Sequence, residues 1–418
     1  MRPTPAVAPA LPASRLRQLL AGLTAEQRDL LAVLLAERRP DAAPAGVCAQ
    51  APARPSSSPQ SAQGMQFSLF FFSEDARREN RRYELLLDAA RLADELGFAA
   101  VWTPERHFDP FGGPYPNPSL LAAALAMVTR RLELRAGSVV MPLHHPVRVA
   151  EEWALVDCLS GGRVGIACAT GWHLADFVLA PELYDARRDL TWHNLDLVQR
   201  LWRGEEVAFP GVGGQQVSVS SFPRPIQDRL PVWVTATGAP ATFKKAGELG
   251  ANLLTHLSAQ SVDDLREHID AYRAARAAHG HDPARGCVSV MLHAYVGASD
   301  AQVKATVRAP MYDYLRSNLG LHARQAKERQ SSVSPDQFSA DDQLAMLENG
   351  FERYYEHRAL FGTPATCARM VERLRRAGVD EVACLVDFGL PRETVLDGLR
   401  WLGTLIDVPR PAPEAVPA

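Results

Sequence analysis

The sequence predicts an α/β protein: a (β/α)8 TIM barrel with insertions, preceded by a short helical N-terminal extension. Three observations predict it. From Met65 onward, eight short apolar runs are separated by helical patterns of ten or more residues. The runs are continuously apolar rather than alternating, as parallel strands covered by helices on both sides are. The first run leads into FFFSEDARREN, which lacks the glycine loop that opens a doubly wound sheet, so a closed ring fits better than an open one.

The elements follow in order. QFSLFFF (66–72) is the first strand, and NRRYELLLDAARLADELGF is a helix stopped at Gly97, where glycine takes a left-handed cap easily. AAVWT (99–103) is the second strand and NPSLLAAALAMVTR its helix. LELRAGSVVM (132–141) is followed by the helix PVRVAEEWALVDCLS, and RVGIACAT (163–170) by a longer helical stretch through DLTWHNLDLVQRLWRG. PVWVTA (231–236), ANLLT (251–255), CVSVMLHAYV (287–296) and EVACLVD (381–387) complete eight strands. Two insertions interrupt the rhythm. Residues 205–230 read as a short β-excursion. Residues 318–363 carry SSVSPDQFSADDQ and the tyrosine-rich helix FERYYEHRALF, and both insertions are candidate lids over a barrel mouth.

The barrel domain is expected to span 65–410, with 411–418 a disordered tail. Residues 1–64 differ in composition. The Ala-, Pro-, Ser- and Gln-rich segments 1–13 and 40–64 read as linkers. Between them, at about 14–39, Thr24 and Gln27 form a capping-box pattern, and Leu30, Leu31, Leu34 and Leu35 form one apolar stripe. This helical pair is too short for its own core and is expected to dock on a partner or remain a mobile leftover.

Composition narrows the function. Apolar content is 47%, charged content 22% and net charge −3, with basic residues scattered, which predicts no nucleic-acid partner. No apolar run approaches the ~18 residues of a membrane span, and no signal-peptide pattern opens the chain. The six cysteines form no C-x-x-C pair, consistent with reduced thiols in the cytoplasm.

In a parallel barrel the chemistry sits at the C-terminal ends of the strands. That places Ser73, Glu74, 103–117, Ser138 to His145, Thr170 to His173, Thr237, Gly238, His256 and Asp387 at the mouth. Two strand ends carry Thr-Gly: Thr170–Gly171 and Thr237–Gly238. Glycine allows close backbone approach to a ligand. The second pair precedes a helix whose first turn runs to Thr242, where unpaired N–H groups and a positive dipole end suit a phosphate. Lys244 and Lys245 add positive charge. The competing interpretation is that Thr237 merely caps this helix. Walker, zincin and nucleophile-elbow motifs are absent. His144–His145 reads as part of a turn before Pro146 rather than as a metal pair, and no metal is expected. Trp102, Trp172, His107 and His173 suit a flat aromatic ligand.

Residues 65–410 resemble the luciferase-like, flavin-dependent monooxygenases. The resemblance is carried by GFAAVWTPERHF, GSVVMPLHHPVRVAEEWALVDCLSGGR, GIACATGW, PVWVTATGAPATFKKAGELGANLLTHL and LFGTPATCARMVERLRRAGVDEVACLVDFG, in family order. Within the family, the subgroup associated with polyketide and nonribosomal-peptide assembly lines is the most similar, and LTAEQRDLLAVLLAERR supports that. The resemblance implies reduced FMN supplied by a separate reductase, O2 activation through a flavin C4a-(hydro)peroxide, and a frequent homodimer. It implies that Thr170 and Gly171 lie at the flavin edge and that Thr237, Gly238 and Thr242 form the phosphate loop. Ser138 lies beside the ring system, with a non-proline cis peptide at Ser138–Val139. In one respect the chain departs from the family. The light-emitting members carry two histidines after the strand-two glutamate, the first acting as base. Here that position is Arg106, and only His107 remains. Their reactive cysteine position is Ala169, so light emission is not expected. Arginine keeps its proton at neutral pH. His107 is therefore expected to handle protons and Arg106 to stabilise negative charge. The competing interpretation makes Glu105–Arg106 a structural ion pair with His107 as packing. Deazaflavin-dependent hydride transfer and a non-catalytic scaffold remain as alternatives. The substrate, free or carrier-tethered, is not encoded legibly.

Overall fold

The structure is a computed structural model that describes residues 64–72, 83–258, 260–328 and 340–406. The expected helical pair at 14–39, the mouth residues Ser73 and Glu74, and the tail 411–418 lie outside the described residues.

The eight expected strands form a closed parallel ring. In chain order the elements are β1 Gln66–Phe70, α1 Glu84–Leu96, β2 Ala100–Thr103, α2 Pro118–Ala126, β3 Glu133–Val140, α3 Pro146–Ser160, β4 Val164–Ala169 and α4 Arg187–Trp202. The hairpin β5 Val207–Pro210 and β6 Gln216–Val219 follows, antiparallel, with Val207 opposite Val219. Then come β7 Val232–Thr235, α5 Pro240–Glu248, β8 Asn252–His256, α6 Val262–Ala278, β9 Val288–Val296, α7 Asp300–Glu328 and α8 Ala340–His357. The chain continues through β10 Leu360–Gly362, α9 Pro364–Arg376, β11 Glu381–Leu385 and α10 Arg392–Gly403. The ring runs β1-β2-β3-β4-β7-β8-β9-β11, and β11 returns to β1 with Gln66 beside Glu381. Gly97 closes α1 at φ 86°, as its position predicts. Among the described residues no helix is long and apolar enough to cross a membrane. The five described cysteines are all unpaired.

Two elements differ from expectation. The tyrosine-rich helix stops at His357, and Leu360–Gly362 forms a short strand beside β9, outside the ring. Thr363 then caps α9, its hydroxyl accepting from Thr366 N–H with Pro364 in the first turn, and so forces the helix to end earlier. The second insertion, 318–363, begins within α7, where helix-favouring residues continue from Asp300.

The barrel floor is polar and sealed. Arg135 is 4% exposed and Glu381 is fully buried. The Arg135 Nη1 donates to Glu381 Oε2 at 2.7 Å. Ser289 Oγ donates to the same oxygen at 2.9 Å, while the Ser68 hydroxyl and Trp102 Nε1 donate to Oε1, the indole at 3.2 Å. The guanidinium lies 4.8 Å from the Trp102 ring centroid and 4.3 Å from that of Trp233. Gly137 and Gly165 leave room for these groups. A β-carbon on Gly165 would stand 2.8 Å from the Trp233 ring, and one on Gly137 2.8 Å from Phe70. Burial works to raise the Glu381 pKa, but Arg135 and the hydroxyl donors outweigh it and hold the carboxyl below its ordinary value.

Removing one member of such a pair strands the other charge. Arg135→Met is expected to destabilise the fold by about 3–5 kcal/mol, and the double change Arg135→Met with Glu381→Leu by distinctly less than the two single changes summed. Urea unfolding of the three variants checks both; additive losses would remove the pairing argument.

Candidate active site

The site assembles around Glu105, where β2 runs into its loop. Its carboxylate is buried and accepts three bonds. Val140 N–H donates to Oε2 at 2.7 Å, and the Nε2 atoms of His144 and His107 meet Oε1 at 2.7 and 3.0 Å. Burial alone would raise its pKa, yet these donors hold it below the ordinary 4.5. Burial would lower the pKa of His144, but Glu105 raises it above 6.5. The carboxylate thus ties the end of β3 and the turn after it to the β2 loop. The His107 side chain is 13% exposed. The next residue, Phe108, is 63% exposed and holds φ 56°, the single positive-φ non-glycine residue among those described. Strained backbone of this kind clusters at functional rims. Arg106 is buried, its guanidinium 5.1 Å from the Trp172 ring and 5.9 Å from that of Phe72.

The expected cofactor residues come together. Ser138 and Val139 end β3, Thr170 and Gly171 follow β4, and Thr237, Gly238 and Thr242 follow β7. These three strands are adjacent, with Val139 beside Cys168 and Cys168 beside Val234. The two Thr-Gly corners therefore share one end of the ring. Thr237 does not cap α5. Ala239 occupies the cap position, and no side chain accepts there. The helix start is left open, with Gly238 at φ 108°, a conformation only glycine takes readily. Thr235, at the end of β7, carries a buried hydroxyl without a hydrogen-bond partner. An uncapped helix start beside an orphan hydroxyl fits a ligand that brings its own acceptors, such as the phosphate and ring edge of a flavin nucleotide.

Several expectations need correction. The Ser138–Val139 bond is trans; among the described residues the cis bond is Phe222–Pro223. The irregularity there is a register shift between Ala136 and Val139, which bends the strand without a cis peptide. Gly171 also answers to packing: a β-carbon would stand 2.7 Å from the Phe177 ring and 2.9 Å from Val140. Trp102 belongs to the barrel floor. His173 is buried against Asp176, its Nδ1 3.0 Å from the carboxylate. Glu105 bonds two histidines and a backbone amide, so its hydrogen bonds tie together the β2 and β3 loops. Lys245 pairs with Glu248 at 3.1 Å rather than facing a phosphate.

Sequence reasoning places His144 and Asp387 at the mouth without naming their partners, and it does not single out His293. His144 lies in the turn expected before Pro146, and its ring turns back to Glu105. His293, on β9, bonds Tyr354 Oη through Nδ1 at 2.7 Å. Asp387 accepts Phe72 N–H with both oxygens at 3.0 Å and Tyr115 Oη at 2.8 Å, clamping the β1 and β2 loops. An acidic residue directly after the last strand was the available signal for this clamp.

Comparison with known proteins converges. The sequence model of the family described as luciferase-like monooxygenase matches residues 65–381. The chain is 27% identical over 342 residues to the oxygenase component of the flavin-dependent trigonelline monooxygenase of Acinetobacter baylyi, covering 79% of this chain and 91% of that protein. It is 29% identical over 299 residues to limonene 1,2-monooxygenase of Rhodococcus erythropolis, covering 69% and 71%. The oxygenating constituent of 3,6-diketocamphane monooxygenase from Pseudomonas putida, solved with FMN, superposes with a TM-score of 0.65 at 19% identity, covering 83% of this chain and all of that one.

The charge hub sets a pH window. The folded pKa of Glu105 lies below its unfolded value, so its contribution is present above about pH 4.5 and fades as pH falls through the folded value. His144 is raised, so its contribution is full below about pH 6.5 and fades as pH rises through its folded value. Glu105→Gln is expected to bring the His144 pKa back toward about 6.5 and to lower Tm most between about pH 5 and 6.5. Imidazole NMR titration checks it; an unmoved His144 would show that Glu105 does not hold its proton.

Proposed function

The chain belongs to the luciferase-like monooxygenase family, and from that premise we propose that it is the oxygenase component of a two-component, FMN-dependent system of natural-product biosynthesis. The supporting observation is the gathering of Ser138, Val139, Thr170, Gly171, Thr237, Gly238 and Thr242 at one end of three adjacent strands, next to the Glu105 hub. In this reading the open start of α5, with Thr237, Gly238 and Thr242, takes the FMN phosphate. Ser138, Val139, Thr170 and Gly171 border the ring system. Reduced FMN, when bound, supplies the electrons with which O2 is activated. A separate reductase provides it, in keeping with the oxygenase-component description of the Acinetobacter relative.

The chain's own residues then have distinct tasks. His107 hands a proton to or from the reacting centre, and Glu105, bonded to its Nε2, orients the ring. Arg106, fixed by the rings of Phe72 and Trp172, places a permanent positive charge beside that centre. The buried aromatic surroundings limit water, so electrostatic contacts act at reduced dielectric. The substrate is a free or carrier-tethered peptide or polyketide intermediate in the cytoplasm, the 14–39 helices recruit an assembly-line protein, and the working form is a homodimer.

Reduced FMN is expected to bind at least about tenfold more tightly than reduced riboflavin, since a phosphate at a helix start adds charge-assisted hydrogen bonds. His107→Ala is expected to lower coupled product formation by more than about tenfold while FMN binding persists, with O2 consumption diverted to hydrogen peroxide. Anaerobic titration and 18O2 incorporation measure both. Retention of coupling in the variant would count against the proton role. A deazaflavin enzyme would show no O2 consumption at all.

A further inference from the structure

The half of the barrel mouth opposite the cofactor corners is built differently. β9 and β11 lie across the ring from β3 and β4. Along β9, Ser289 points into the barrel, where it meets Glu381 and Trp233. Side chains alternate along a strand, so Met291 and His293 point inward too, with His293 toward the C-terminal end. His293 is fully buried. Its Nδ1 is engaged by Tyr354 Oη at 2.7 Å, while its Nε2 is buried with no hydrogen-bond partner. Three rings surround it: Tyr314 at 4.3 Å, Tyr354 at 5.3 Å and Phe388 at 5.4 Å between centroids. Tyr314 in turn meets Phe111 at 5.5 Å, and Phe111 meets Phe72 at 5.8 Å, so one aromatic wall runs from His293 to the neighbourhood of Arg106.

A buried imidazole nitrogen without a partner costs about 1–3 kcal/mol of lost hydration, and such groups call for an explanation. Burial pushes the His293 pKa down to about 3, so the ring is neutral and does not recognise its ligand by charge. Burial also raises the Tyr354 pKa well above its usual value, so this phenol keeps its proton. A phenol donates to an imidazole nitrogen more readily than it accepts from one. Tyr354 therefore donates to Nδ1, and the imidazole proton is left on Nε2. A neutral N–H donor inside an aromatic wall matches a flat molecule carrying an acceptor.

From this juxtaposition we infer that His293, its Nδ1 held by Tyr354 and its Nε2 turned inside the barrel among the rings of Tyr314 and Phe388, donates the hydrogen bond that recognises a carbonyl oxygen on a planar aromatic substrate. The inference rests on the oxygenase reading only in calling that molecule the substrate. Tyr314 stands on α7, not on the barrel, and is the ring that swings aside on entry. Neither Arg106 nor the Glu105 hub takes part in this recognition.

The test compares two probes of one shape, 1-tetralone and its deoxygenated counterpart tetralin, by equilibrium dialysis against the full chain without flavin. The ketone is expected to bind the unaltered protein about tenfold more tightly, the value of one hydrogen bond to an otherwise unpaired donor. His293→Phe keeps a ring but no donor, and should bring the two affinities together by weakening the ketone alone. His293→Gln retains an N–H donor and should keep part of the preference. Tyr354→Phe releases Nδ1 and should reduce the preference several-fold, so it carries the test should the phenylalanine variant not fold. An undiminished ketone preference in His293→Phe, or no preference in the unaltered protein, overturns the inference. O2 consumption with reduced FMN is read separately on the unaltered chain. Its absence would sink the oxygenase reading while leaving the probe result to stand or fall by itself.

Discussion

A charged pair sealed inside the barrel floor is the constraint on which the rest of this molecule depends. Arg135 and Glu381 sit where water cannot reach, and taking each ion out of water costs several kcal/mol. The cost is tolerable only because the carboxylate is met by donors from β1, β2, β3 and β9 together. A strand pair that slipped by one residue would turn its member to the outer face and leave a buried charge unmatched. The plug therefore locks the register of β1, β2, β3, β9 and β11 at once. Register sets the height at which each strand emerges, and so the relative level of every loop at the mouth.

That levelling is visible at Glu105. The carboxylate meets the Val140 amide because β3, after the shift between Ala136 and Val139, delivers that N–H to the mouth rather than into the sheet ladder. His144 follows within the same turn and adds a second donor. Three bonds to one buried carboxylate make it anionic and rigid, and the bond at 3.0 Å fixes the His107 ring beside it. The strain at Phe108 is sustained by this overdetermined loop, whose other end is held by Asp387 through Tyr115.

How much of this was legible in the sequence follows from the range of each interaction. The ring was legible because each strand is a continuous apolar run and each helix has a stop signal such as Gly97. The Thr-Gly corners were legible for the same reason, since a strand end and a glycine are local features, and their placement at one end follows from parallel strands. What was not legible depends on partners far apart in the chain. Trp102 looks like a mouth aromatic until Ser68 and Glu381 claim its indole. Gly171 looks permissive until Phe177 and Val140 are seen to fill the space beside it. His293 lies inside an apolar strand pattern, where a lone histidine reads as core, and its meaning depends on Tyr354, 61 residues away.

The distribution of these features separates two kinds of evolutionary freedom in physical terms. The proposed cofactor side is made from strand ends and a helix start, elements whose positions the floor plug already fixes. The facing side takes rings from α7 and α8, which run into and through the longest insertion and contact the barrel through side chains such as Tyr314 and Tyr354 rather than through sheet hydrogen bonds. Helices held by side-chain packing can be resurfaced without moving a strand. A barrel built this way can keep one side fixed while the shape and polarity opposite it are altered. That is the physical sense in which a substrate preference can diverge inside a shared fold.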